Sequence, residues 1–598
     1  MCRIAGILSP VISIEENQRM VKQMCYSLKH GWPDDEGFYS DADNNLVLGH
    51  RRLSLIDLSP GGHQPMSYDN GRYWISYNGE LYNFKEIKAE LESAGYRFQS
   101  ASDTEVILAA FAAWGTNAFK RFNGMFAFAL WDSQAGTIYL VRDRMGIKPL
   151  YYAKNENGLC FASEIRGFAS IPWLQTENTN WPVYLLAYGH LPEPVTTLQE
   201  VKPLPKGCFL RFHCKTGKWD IERFSFTSYS EKTANRDFAI EQVRETLSAA
   251  VQRHLISDAP IGVFLSGGLD SSIMALLAAG HQRAGLKTLS IIFEEEKYSE
   301  KKYQNLVIDR LDCPNWQETL TEKVFQQNLP GIIQAMDMPG CDGINTWFIS
   351  KYARESGLKA VLSGVGGDEL FGGYPSFNRA GKVLWIEKLP AALLKQGRYA
   401  NSKKLRRLSF LSLGGAKGLY LFLRGQFVPA TIARQLDATE KEIWDILSDQ
   451  PELDTIDSLG KSNQAGWIES NLYMQNQLLR DSDVMSMAHG IEIRVPFLDR
   501  DFVNLVQNIR SDIKYSGAYP KQLLIDSFKK ELPPPVWNRP KMGFSFPFTE
   551  WMQHNEFVRD AMQRSGEAGR ASFKKFSDGE MHWSQLMSLL LLNLRREG

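Results

Sequence analysis

A cysteine follows the initiator methionine directly, at position 2. Once Met1 is removed, Cys2 carries a thiol nucleophile together with a free α-amine. That amine titrates at about pH 7.7–8.0 and can accept the thiol proton. A nucleophile and a base on one residue suit the hydrolysis of an amide, so Cys2 is the first candidate catalytic residue.

A glycine- and serine-rich loop occupies residues 266–272, with the sequence Ser-Gly-Gly-Leu-Asp-Ser-Ser. It follows the apolar run 261–265, which predicts a strand, and the next helix is predicted from Ser271 or Ser272. Such a loop surrounds an anion with backbone N–H groups, small hydroxyls and the positive end of a helix. It lacks the Gly-Lys-Ser/Thr ending of the ATPase P-loop. It resembles instead the pyrophosphate loop of enzymes that split ATP between its α- and β-phosphates, with Asp270 as an oxygen ligand for Mg²⁺. An ordinary turn is the alternative, but it leaves the serines and the aspartate unexplained.

A second glycine-rich run, residues 363–374, follows the apolar residues 360–362. Its glycines permit backbone contact with a nucleotide, and Asp368 could supply a second magnesium oxygen. The alternative is a structural turn, because glycine-rich turns are common. Near the C-terminus, Lys541 offers a cation that could neutralise the leaving pyrophosphate.

An amide-hydrolysing thiol also needs an oxyanion hole and a clamp for an amino-acid substrate. Asn78 and Gly79 offer a side-chain amide and an accessible backbone N–H. Arg52 can pair with the substrate carboxylate in a bidentate way, while Glu80 and Asp103 can hold the ammonium.

The elements that must position these residues divide the chain in two. Residues 2–212 contain short β-rich runs between Gly/Asn/Asp turns, with fewer helical stretches, predicted at 17–29, 83–94 and 103–114, which together predict an α+β layered domain. Residues 213–236 are interpreted as a linker. Residues 237–598 alternate strands with helices, which predicts an α/β domain whose parallel sheet binds ligands at the carboxyl ends of its strands.

A basic, helical insertion is predicted at about residues 380–460. No acidic residue occurs from Lys388 to Leu436, whereas ten basic residues do. An amphipathic helical layer with a solvated basic face is the favoured interpretation, and an anion- or RNA-binding patch is the alternative.

Composition narrows the class of protein. The 598 residues include 68 basic and 68 acidic side chains, so nothing draws the whole chain to nucleic acid or to an anionic membrane. Seven cysteines lie far apart without a Cys-x-x-Cys pair, which indicates reduced thiols. No apolar run reaches membrane-spanning length and no signal peptide is evident. We therefore expect a cytoplasmic enzyme with no membrane or nucleic-acid partner.

The chain resembles the glutamine-hydrolysing asparagine synthetase family from Cys2 to about Trp551. In the first half the matching residues are Cys2 to Gly6, Pro33-Asp34, Gly37, Arg52-Leu53-Ser54, Gln64-Pro65, Asn78-Gly79-Glu80, Asp103, Asn123 to Ala127, Arg142-Asp143-Arg144, Gly146, Lys148 to Tyr151 and Ser163-Glu164-Ile165. In the second half they are Ser266 to Ser272, Asp368 to Tyr374, Met487-Ala488, Glu492, Arg494 to Asp499, Arg539, Lys541, Gly543-Phe544 and Trp551.

The resemblance implies an N-terminal nucleophile (αββα-layered) class II glutamine amidotransferase followed by an α/β pyrophosphate-loop ATP domain. It implies that Cys2 forms a glutamyl thioester, with Asn78 and Gly79 as the oxyanion hole and with Arg52, Glu80 and Asp103 binding glutamine. Ammonia then crosses an internal tunnel to an acyl-adenylate, giving an amide, AMP, pyrophosphate and glutamate. A homodimer is possible by the same resemblance. The implied ATP-binding residues are Leu265, Ser266, Gly267, Gly268, Asp270, Ser271, Ser272, Ile292, Ser363 and Gly364, with Asp270 and Asp368 holding Mg²⁺.

Two stretches depart from the family pattern, and both lie beside the expected acceptor pocket. Asparagine-forming members resemble Ser-Gly-Glu-Gly in the second glycine-rich run, where this chain has Val365. A valine side chain can neither accept a proton nor hydrogen-bond. Residues 337–347 also depart from the expected Ser/Ala/Pro-containing stretch.

L-aspartate is the leading acceptor. The alternative is another carboxylate, such as a sugar uronic acid in polysaccharide synthesis, with the same mechanism. A bare glutaminase conflicts with the retained Ser266, Asp270, Asp368 and Lys541. An RNA-binding module built on the insertion would need salt-dependent RNA binding to support it.

Overall fold

The computed structural model of the chain describes residues 2–30, 34–226, 228–282, 285–383, 386, 389–400, 402–449, 456–540, 542 and 546–597. Two antiparallel sheets build the N-terminal half, and a parallel sheet builds the C-terminal half. This agrees with the predicted fold class.

The N-terminal half contains two six-stranded sheets, with strand orders β10-β8-β9-β1-β3-β2 and β12-β11-β7-β6-β5-β4. The strands are β1 (Arg3–Leu8), β2 (Asp35–Asp41), β3 (Leu46–Arg52), β4 (Met66–Tyr68), β5 (Tyr73–Leu81), β6 (Gly124–Asp132), β7 (Thr137–Arg142), β8 (Tyr151–Asn155), β9 (Gly158–Ala162), β10 (Lys202–Pro203), β11 (Cys208–His213) and β12 (Trp219–Arg223). The helices are α1 (Ile14–Ser27), α2 (Phe84–Ser93), α3 (Asp103–Trp114), α4 (Ala118–Arg121) and α5 (Trp181–Tyr188).

The two sheets pack face to face between helices. Strand β1 shows why, because its side chains alternate between two apolar layers. Ile4 and Leu8 face the core between the sheets, whereas Ala5 and Ile7 join the core that contains the apolar face of α1. Helix α3 covers the other sheet, since Val106 and Ile107 pack in one cluster with Ile75 of β5. These are the αββα layers that the family resemblance implies.

The C-terminal half contains a five-stranded parallel sheet of order β15-β14-β13-β16-β17. The strands are β13 (Ile261–Phe264), β14 (Lys287–Phe293), β15 (Asn315–Leu320), β16 (Ala360–Leu362) and β17 (Glu492–Arg494). Both glycine-rich runs follow the carboxyl ends of adjacent strands, β13 and β16, which is where ligands bind in such sheets. Strand β17 has only three residues, too few for a periodic sequence signal.

Helices surround this sheet. The helices that precede or separate the sheet strands along the chain are α6 (Arg236–His254), α7 (Leu269–His281), α8 (Lys301–Ile308), α9 (Glu322–Ala335), α10 (Ile344–Glu355), α11 (Gly367–Phe371), α18 (Lys461–Ile468), the π-helical segment Glu469–Leu479 and α19 (Arg480–Met487). The C-terminal helices are α20 (Arg500–Asn508), α21 (Ser511–Lys514), α22 (Gln522–Phe528), α23 (Pro534–Trp537), α24 (Phe548–His554), α25 (Glu556–Arg564), α26 (Gly566–Ser577) and α27 (Trp583–Glu597).

The predicted insertion is helical where the structure describes it. Its helices are α12 (Pro375–Val383), α13 (Ala391–Gln396), α14 (Lys403–Leu408), α15 (Gly415–Arg424), α16 (Pro429–Leu436) and α17 (Glu440–Asp449). Arg424 turns inward, where it pairs with Glu469 at 2.7 Å, so this basic residue is not part of a solvated face.

The stretch interpreted as a linker is not all irregular. Strand β12 lies inside residues 213–236 and pairs antiparallel with β11. All its residues are exposed, so it carries no apolar alternation. A strand of this kind at a sheet edge is held by its backbone ladder, which leaves little signal in the sequence.

Buried polar contacts join the two halves. Arg3 is 1% exposed and pairs with Glu164 at 2.5 Å and with Asp483 of the second half at 3.0 Å. The Asp337 carboxylate accepts hydrogen bonds from the backbone of Ile165 and Arg166, both at 2.8 Å. The candidate thiol, one residue before Arg3, therefore lies close to this junction.

Among the described residues, no helix is long and apolar enough to cross a membrane.

Candidate functional site

Cys2 lies at the start of β1, beside the carboxyl end of β3. Arg3 pairs with Arg51 in the sheet, and the Cys2 thiol lies 3.9 Å from the Leu53 carbonyl oxygen. Burial raises the pKa of the Cys2 thiol to about 11, although the N-terminal ammonium and Arg52 oppose this effect. At neutral pH the thiol is therefore protonated, and attack on a carbonyl carbon requires a base.

Asn78 and Gly79 lie on β5, which crosses β3 between the two sheets. Ser76 donates to the Gly49 carbonyl at 2.9 Å, and the His50 ring lies 3.0 Å from the Tyr77 carbonyl. Residues 49 and 50 of β3 therefore contact residues 76 and 77 of β5 in the same order. Continued in this register, the end of β3 lies alongside residues 78–80.

The Asn78 side chain is fully buried, and neither of its amide atoms has a hydrogen-bond partner among the residues that the structure describes. An unsatisfied buried amide is costly, at about 1–3 kcal/mol, and such a group calls for an explanation. A ligand oxyanion would supply the missing partner. Gly79 is needed for a different reason, because a Cβ there would overlap the Met125 carbonyl oxygen on the adjacent strand.

Arg52 is buried, and backbone oxygens hold its guanidinium. It donates to Ser59 at 3.2 Å, to Ile56 at 3.3 Å and to the Asp57 carbonyl. A Cβ on Gly62 would overlap the guanidinium. Because these acceptors are neutral carbonyls, the charge of Arg52 remains suited to a substrate carboxylate.

Glu80 and Asp103 lie together in the same buried region. The Asp103 carboxylate accepts from the Tyr77 hydroxyl at 3.0 Å and from the Leu81 backbone at 2.9 Å. Burial raises the pKa of Asp103 to about 6 and holds the pKa of Glu80 well above its ordinary value. Glu80 lies 3.3 Å from Arg494, which comes from β17 in the other half.

Arg494 also belongs to this buried region. The sequence identified it only as part of a run shared with the family and assigned it no role. It is completely buried, pairs with Glu492 at 2.7 Å and donates to the carbonyls of His254 and Ile256. Glu492 also affects the Cys2 thiol, whose pKa it raises. Charges of the second half thus lie directly against the thiol site.

A cavity of about 290 Å³ opens at the carboxyl ends of β13 and β16. The predicted residues that line it are Leu265, Ser266, Asp270, Ser271, Ser363, Gly364 and Asp368. Ile292 is not among the lining residues, whereas Ile291 is, because neighbouring side chains on a strand point to opposite faces. Ser272 is buried and donates to the Gly268 carbonyl at 2.7 Å, so it holds the loop together.

The two glycine-rich runs pack against each other in a way that requires glycine. A Cβ on Gly364 would lie 2.9 Å from the Asp270 Cβ, and a Cβ on Gly367 would lie 2.5 Å from an Asp270 carboxylate oxygen. Gly267 has φ +82°, a conformation that favours glycine, and its carbonyl accepts from Arg539 at 3.0 Å.

Lys521 lies between Asp270 and Asp368. It is not among the site residues predicted from the sequence. Its ammonium is 2.7 Å from a carboxylate oxygen of each aspartate, and its side chain is buried. Lys521 is the residue before α22 and has φ +60°. The lysine predicted for a phosphate-neutralising role, Lys541, lies outside the described residues. No short motif surrounds Lys521, so local sequence offered no signal.

Asp270 and Asp368 fit a magnesium ion of the kind that shares its ligands with a nucleotide. Mg²⁺ is commonly bound by one or two carboxylates together with substrate phosphates. Both aspartates lie against one ammonium, so their oxygens converge on a single point.

The far side of the cavity is acidic. Asp342, Glu369 and Asp481 line it together with Val365 and Tyr374. Burial raises the pKa of Glu369 to about 7, with a further contribution from Asp368, and Glu369 accepts a hydrogen bond from the Tyr374 hydroxyl at 2.8 Å. Burial likewise raises the pKa of Asp481 to about 7.

Strand β17 joins the thiol site to the cavity. Ile493 lines the cavity, whereas its neighbours Glu492 and Arg494 point to the opposite face, where Arg494 lies 3.3 Å from Glu80 and Glu492 raises the pKa of the Cys2 thiol. The alternation of side chains along a strand makes one three-residue element a wall of both sites.

Comparisons with known protein families match each half of the chain to a separate domain. A glutamine amidotransferase domain model matches residues 1–225, and an asparagine synthase model matches residues 242–589. The fold and the two sites define an enzyme that couples a glutamine amidotransferase to an ATP-using synthase. The chain belongs to the glutamine-hydrolysing asparagine synthetase family, as its sequence motifs predicted.

Individual relatives are similar over most of their length. Asparagine synthetase [glutamine-hydrolyzing] 1 of Bacillus subtilis is 30% identical, over 94% of this chain and 90% of that protein. Asparagine synthetase [glutamine-hydrolyzing] 3 of the same organism is 29% identical, over 91% and 87%. Amidase chry2 of Gibberella zeae is 27% identical, over 92% and 90%. Two of these relatives are named asparagine synthetase and the third is named an amidase.

Proposed function

We propose that this protein is a glutamine-dependent ligase that converts a carboxylate to an amide at the cost of ATP. Glutamine is hydrolysed at Cys2, and the ammonia attacks an acyl-adenylate in the nucleotide cavity. AMP, pyrophosphate and glutamate are the other products. The observation that carries the proposal is the two-faced strand β17, which borders the thiol site with Glu492 and Arg494 and the cavity with Ile493.

In the first half-reaction the Cys2 thiol attacks the side-chain amide carbon of glutamine. After removal of Met1, the α-amine of Cys2 accepts the thiol proton and passes it to the leaving ammonia. The buried amide of Asn78 and the backbone N–H of Gly79 stabilise the oxyanion. Water then hydrolyses the thioester.

Glutamine itself is held through its charged groups. Arg52, fixed by three backbone carbonyls, receives the α-carboxylate. Glu80 and Asp103 receive the α-ammonium. Their raised pKa values support this role, because a cation placed between two buried carboxyl groups stabilises their ionised forms.

In the second half-reaction the acceptor carboxylate attacks the α-phosphate of ATP, and pyrophosphate leaves. We assign to Lys521 the charge neutralisation that the sequence suggested for Lys541. Asp270 and Asp368 would hold Mg²⁺ against the phosphates, where the ion offsets their negative charge. In this arrangement the ammonium of Lys521 turns from the two carboxylates to the pyrophosphate.

Ammonia then attacks the acyl carbon, and the adduct must lose a proton before AMP leaves. Val365 cannot take this proton, whereas Glu369 lines the same cavity and has a pKa near 7. A base with its pKa near the working pH is the most effective proton acceptor. We therefore propose Glu369 as the base, positioned by Tyr374.

L-aspartate is the first acceptor to test, because B. subtilis relatives carry the name asparagine synthetase. A second candidate is a carboxylate without a second acidic group, such as a sugar uronic acid. The lining favours it, since Asp342, Glu369 and Asp481 would hold the α-ammonium of aspartate but no Lys or Arg occurs among the described lining residues to pair with its α-carboxylate. Nearby Arg480 is already paired with Asp481 at 3.3 Å.

The test is pyrophosphate release with Mg-ATP, glutamine and either L-aspartate or a panel of uronic acids and their nucleotide derivatives. Cys2→Ala supplied with glutamine, and then with ammonium chloride, separates the two half-reactions. Aspartate-dependent pyrophosphate and asparagine support the first acceptor. Turnover with another carboxylate alone supports the second. The ligase assignment is contradicted if no acceptor in the panel stimulates pyrophosphate release. It is also contradicted if release is equally fast when the acceptor is left out.

A further inference from the structure

Two carboxyl groups of the nucleotide cavity, those of Asp342 and Asp481, are not accounted for by ATP binding or by the proposed base. The aspartates of the two glycine-rich runs contact Lys521, and Glu369 is proposed as the base. Asp342 and Asp481 line the remaining, far side of the cavity. They therefore lie where the acceptor would bind.

The segments that carry these two aspartates pack closely together. Asp342 lies just before α10, and Asp481 lies in the first turn of α19. Between Asp342 and α10, Gly343 has φ +91°, and a Cβ there would lie 3.1 Å from the Asp481 Cβ. Glycine at position 343 therefore permits the close approach of the two segments. The contact falls within residues 337–347, which depart from the family pattern.

One carboxylate oxygen of Asp481 lacks a hydrogen-bond donor. Asp481 is 9% exposed, and its Oδ1 atom accepts from the Arg480 guanidinium at 3.3 Å. Its Oδ2 atom is buried and has no hydrogen-bond partner among the residues that the structure describes. A buried oxygen of this kind is costly unless a donor reaches it. Because Asp481 lines the cavity, a ligand bound there can supply that donor.

The two carboxyl groups also affect each other's titration. Burial raises the pKa of Asp481 to about 7, Arg480 opposes this effect, and Asp342 adds to it. Burial raises the pKa of Asp342 as well, although a backbone N–H and Arg424 oppose the shift. The Arg424 guanidinium itself pairs with Glu469 at 2.7 Å. A cation bound beside both aspartates would stabilise their ionised forms.

The rest of the lining limits what else the ligand can carry. Ile349, Val365 and Leu478 give the cavity apolar surface, which suits a carbon chain better than a ring of hydroxyl groups. No Lys or Arg occurs among the described lining residues, so a second carboxylate would meet no cation there. An ammonium group, by contrast, would meet two carboxyl groups.

We propose that the acceptor is an amino acid with a single carboxylate, whose ammonium group is bound by Asp342 and Asp481. This inference rests on the proposed ligase function and narrows its substrate class. β-Alanine is the simplest member to consider, because it is aspartate without the α-carboxylate. Holding the ammonium at the far side of the cavity leaves the carboxylate at the other end of the molecule to react with ATP.

Acceptors that differ only in charge test the proposal. Pyrophosphate release by the full-length protein is measured with glutamine and Mg-ATP. β-Alanine, 4-aminobutyrate and 6-aminohexanoate are each compared with the acid of the same length that lacks the amine, and L-aspartate is compared with succinate. We expect one of the ω-amino acids to exceed both its amine-free counterpart and L-aspartate in kcat/KM by about tenfold or more, because it gains a charge-assisted contact.

Two variants and a matched control assign the contact to its residues. Asp342→Asn and Asp481→Asn should each raise the KM for the preferred ω-amino acid about tenfold or more, while the KM for ATP stays unchanged. A merely structural defect would not separate the two KM values. Glu355→Gln is the control, since Glu355 lies at the other end of α10 and pairs with Lys351 at 2.6 Å. Glutaminase activity in all three variants shows that they fold.

The outcomes separate this inference from the proposed function. If L-aspartate, succinate or glucuronic acid reacts as fast as the best ω-amino acid, or faster, the inference is wrong and the ligase assignment stands. If no carboxylate stimulates pyrophosphate release, both are wrong. An unchanged KM for the ω-amino acid in both aspartate variants also overturns the inference, because neither aspartate would then bind the ammonium.

Discussion

The proposed glutamine site and the proposed acceptor side of the nucleotide cavity differ in charge, because the first combines a cation with carboxyl groups and the second has carboxyl groups alone among its described charged residues. In the glutamine site a cation and carboxyl groups, Arg52 with Glu80 and Asp103, lie ready for a substrate that carries both charges. The acceptor side presents carboxyl groups with raised pKa values and a valine. Under the proposed function, the residues assigned to the nitrogen donor keep the family pattern, whereas the residues assigned to the acceptor depart from it at Val365.

The largest effect should come from the nucleophile. We expect Cys2→Ala to abolish glutamine-dependent amide formation, by about four orders of magnitude or more, while ammonia still supports the reaction. Glutamate and pyrophosphate release measured side by side would show this split. Cys214→Ala is the control, since that partly exposed thiol lies against Asn44, away from the site. Loss of the ammonia-dependent reaction as well would break the separation of the two sites.

Lys521→Ala should affect only the other site. Removing a group that stabilises charge in the transition state costs about 10²- to 10³-fold in rate. We expect acceptor-dependent pyrophosphate release to fall by that amount and glutaminase activity to persist. Lys530→Ala, an exposed lysine just beyond the same helix, should behave as the unchanged protein. If Lys521→Ala releases pyrophosphate at the unchanged rate, Lys541 and not Lys521 neutralises the leaving pyrophosphate.

A glutamine-site substitution should have a smaller effect. Glu80→Gln removes a charge-assisted contact to the α-ammonium, so the KM for glutamine should rise about 10- to 100-fold. Ammonia-dependent amide formation should not change. Glu90→Gln, whose carboxylate pairs with Arg121 at the surface, provides the control. An unchanged KM would mean that Glu80 serves only to pair with Arg494.

The smallest expected effect is a change in the rate of amide formation with pH. Glu369 has a pKa raised to about 7, so its ionised, basic form is present above that pH and is lost as the pH falls below it. Amide formation should therefore increase from pH 6 to pH 8, and Glu369→Gln should reduce both the rate and this increase. The part of the increase that Glu369→Gln loses reports Glu369, because the α-amine of Cys2 also titrates in this range.

The same shift has a consequence for stability with the opposite sign. A carboxyl group whose pKa is higher in the folded state stabilises the fold below the unfolded pKa, and this contribution is lost as the pH rises through about 7. Between pH 6 and pH 8 the melting temperature should fall more in the unchanged protein than in Glu369→Gln. An equal fall in both would show that the group does not titrate there.

Short-range patterns in the sequence determined much of this protein. The two glycine-rich runs were recognisable because each depends on local spacing, and the thiol because it follows Met1. Arg52, Glu80 and Asp103 are far apart in the sequence and were predicted as a clamp from their residue types and the family resemblance. The strand, loop and helix around residues 266–272 were predicted from local spacing, since an anion loop needs those elements in that order. The predicted helices 17–29, 83–94 and 103–114 correspond to α1, α2 and α3.

Only the tertiary structure decided which distant groups meet. Lys521 reaches Asp270 across 251 positions of sequence, and Arg494 reaches Glu80 from another sheet. Strand β17 is too short to leave a periodic signal, yet its alternation places both active sites on its two faces. Burial and charge pairing between remote segments set these contacts, and no local pattern encodes them.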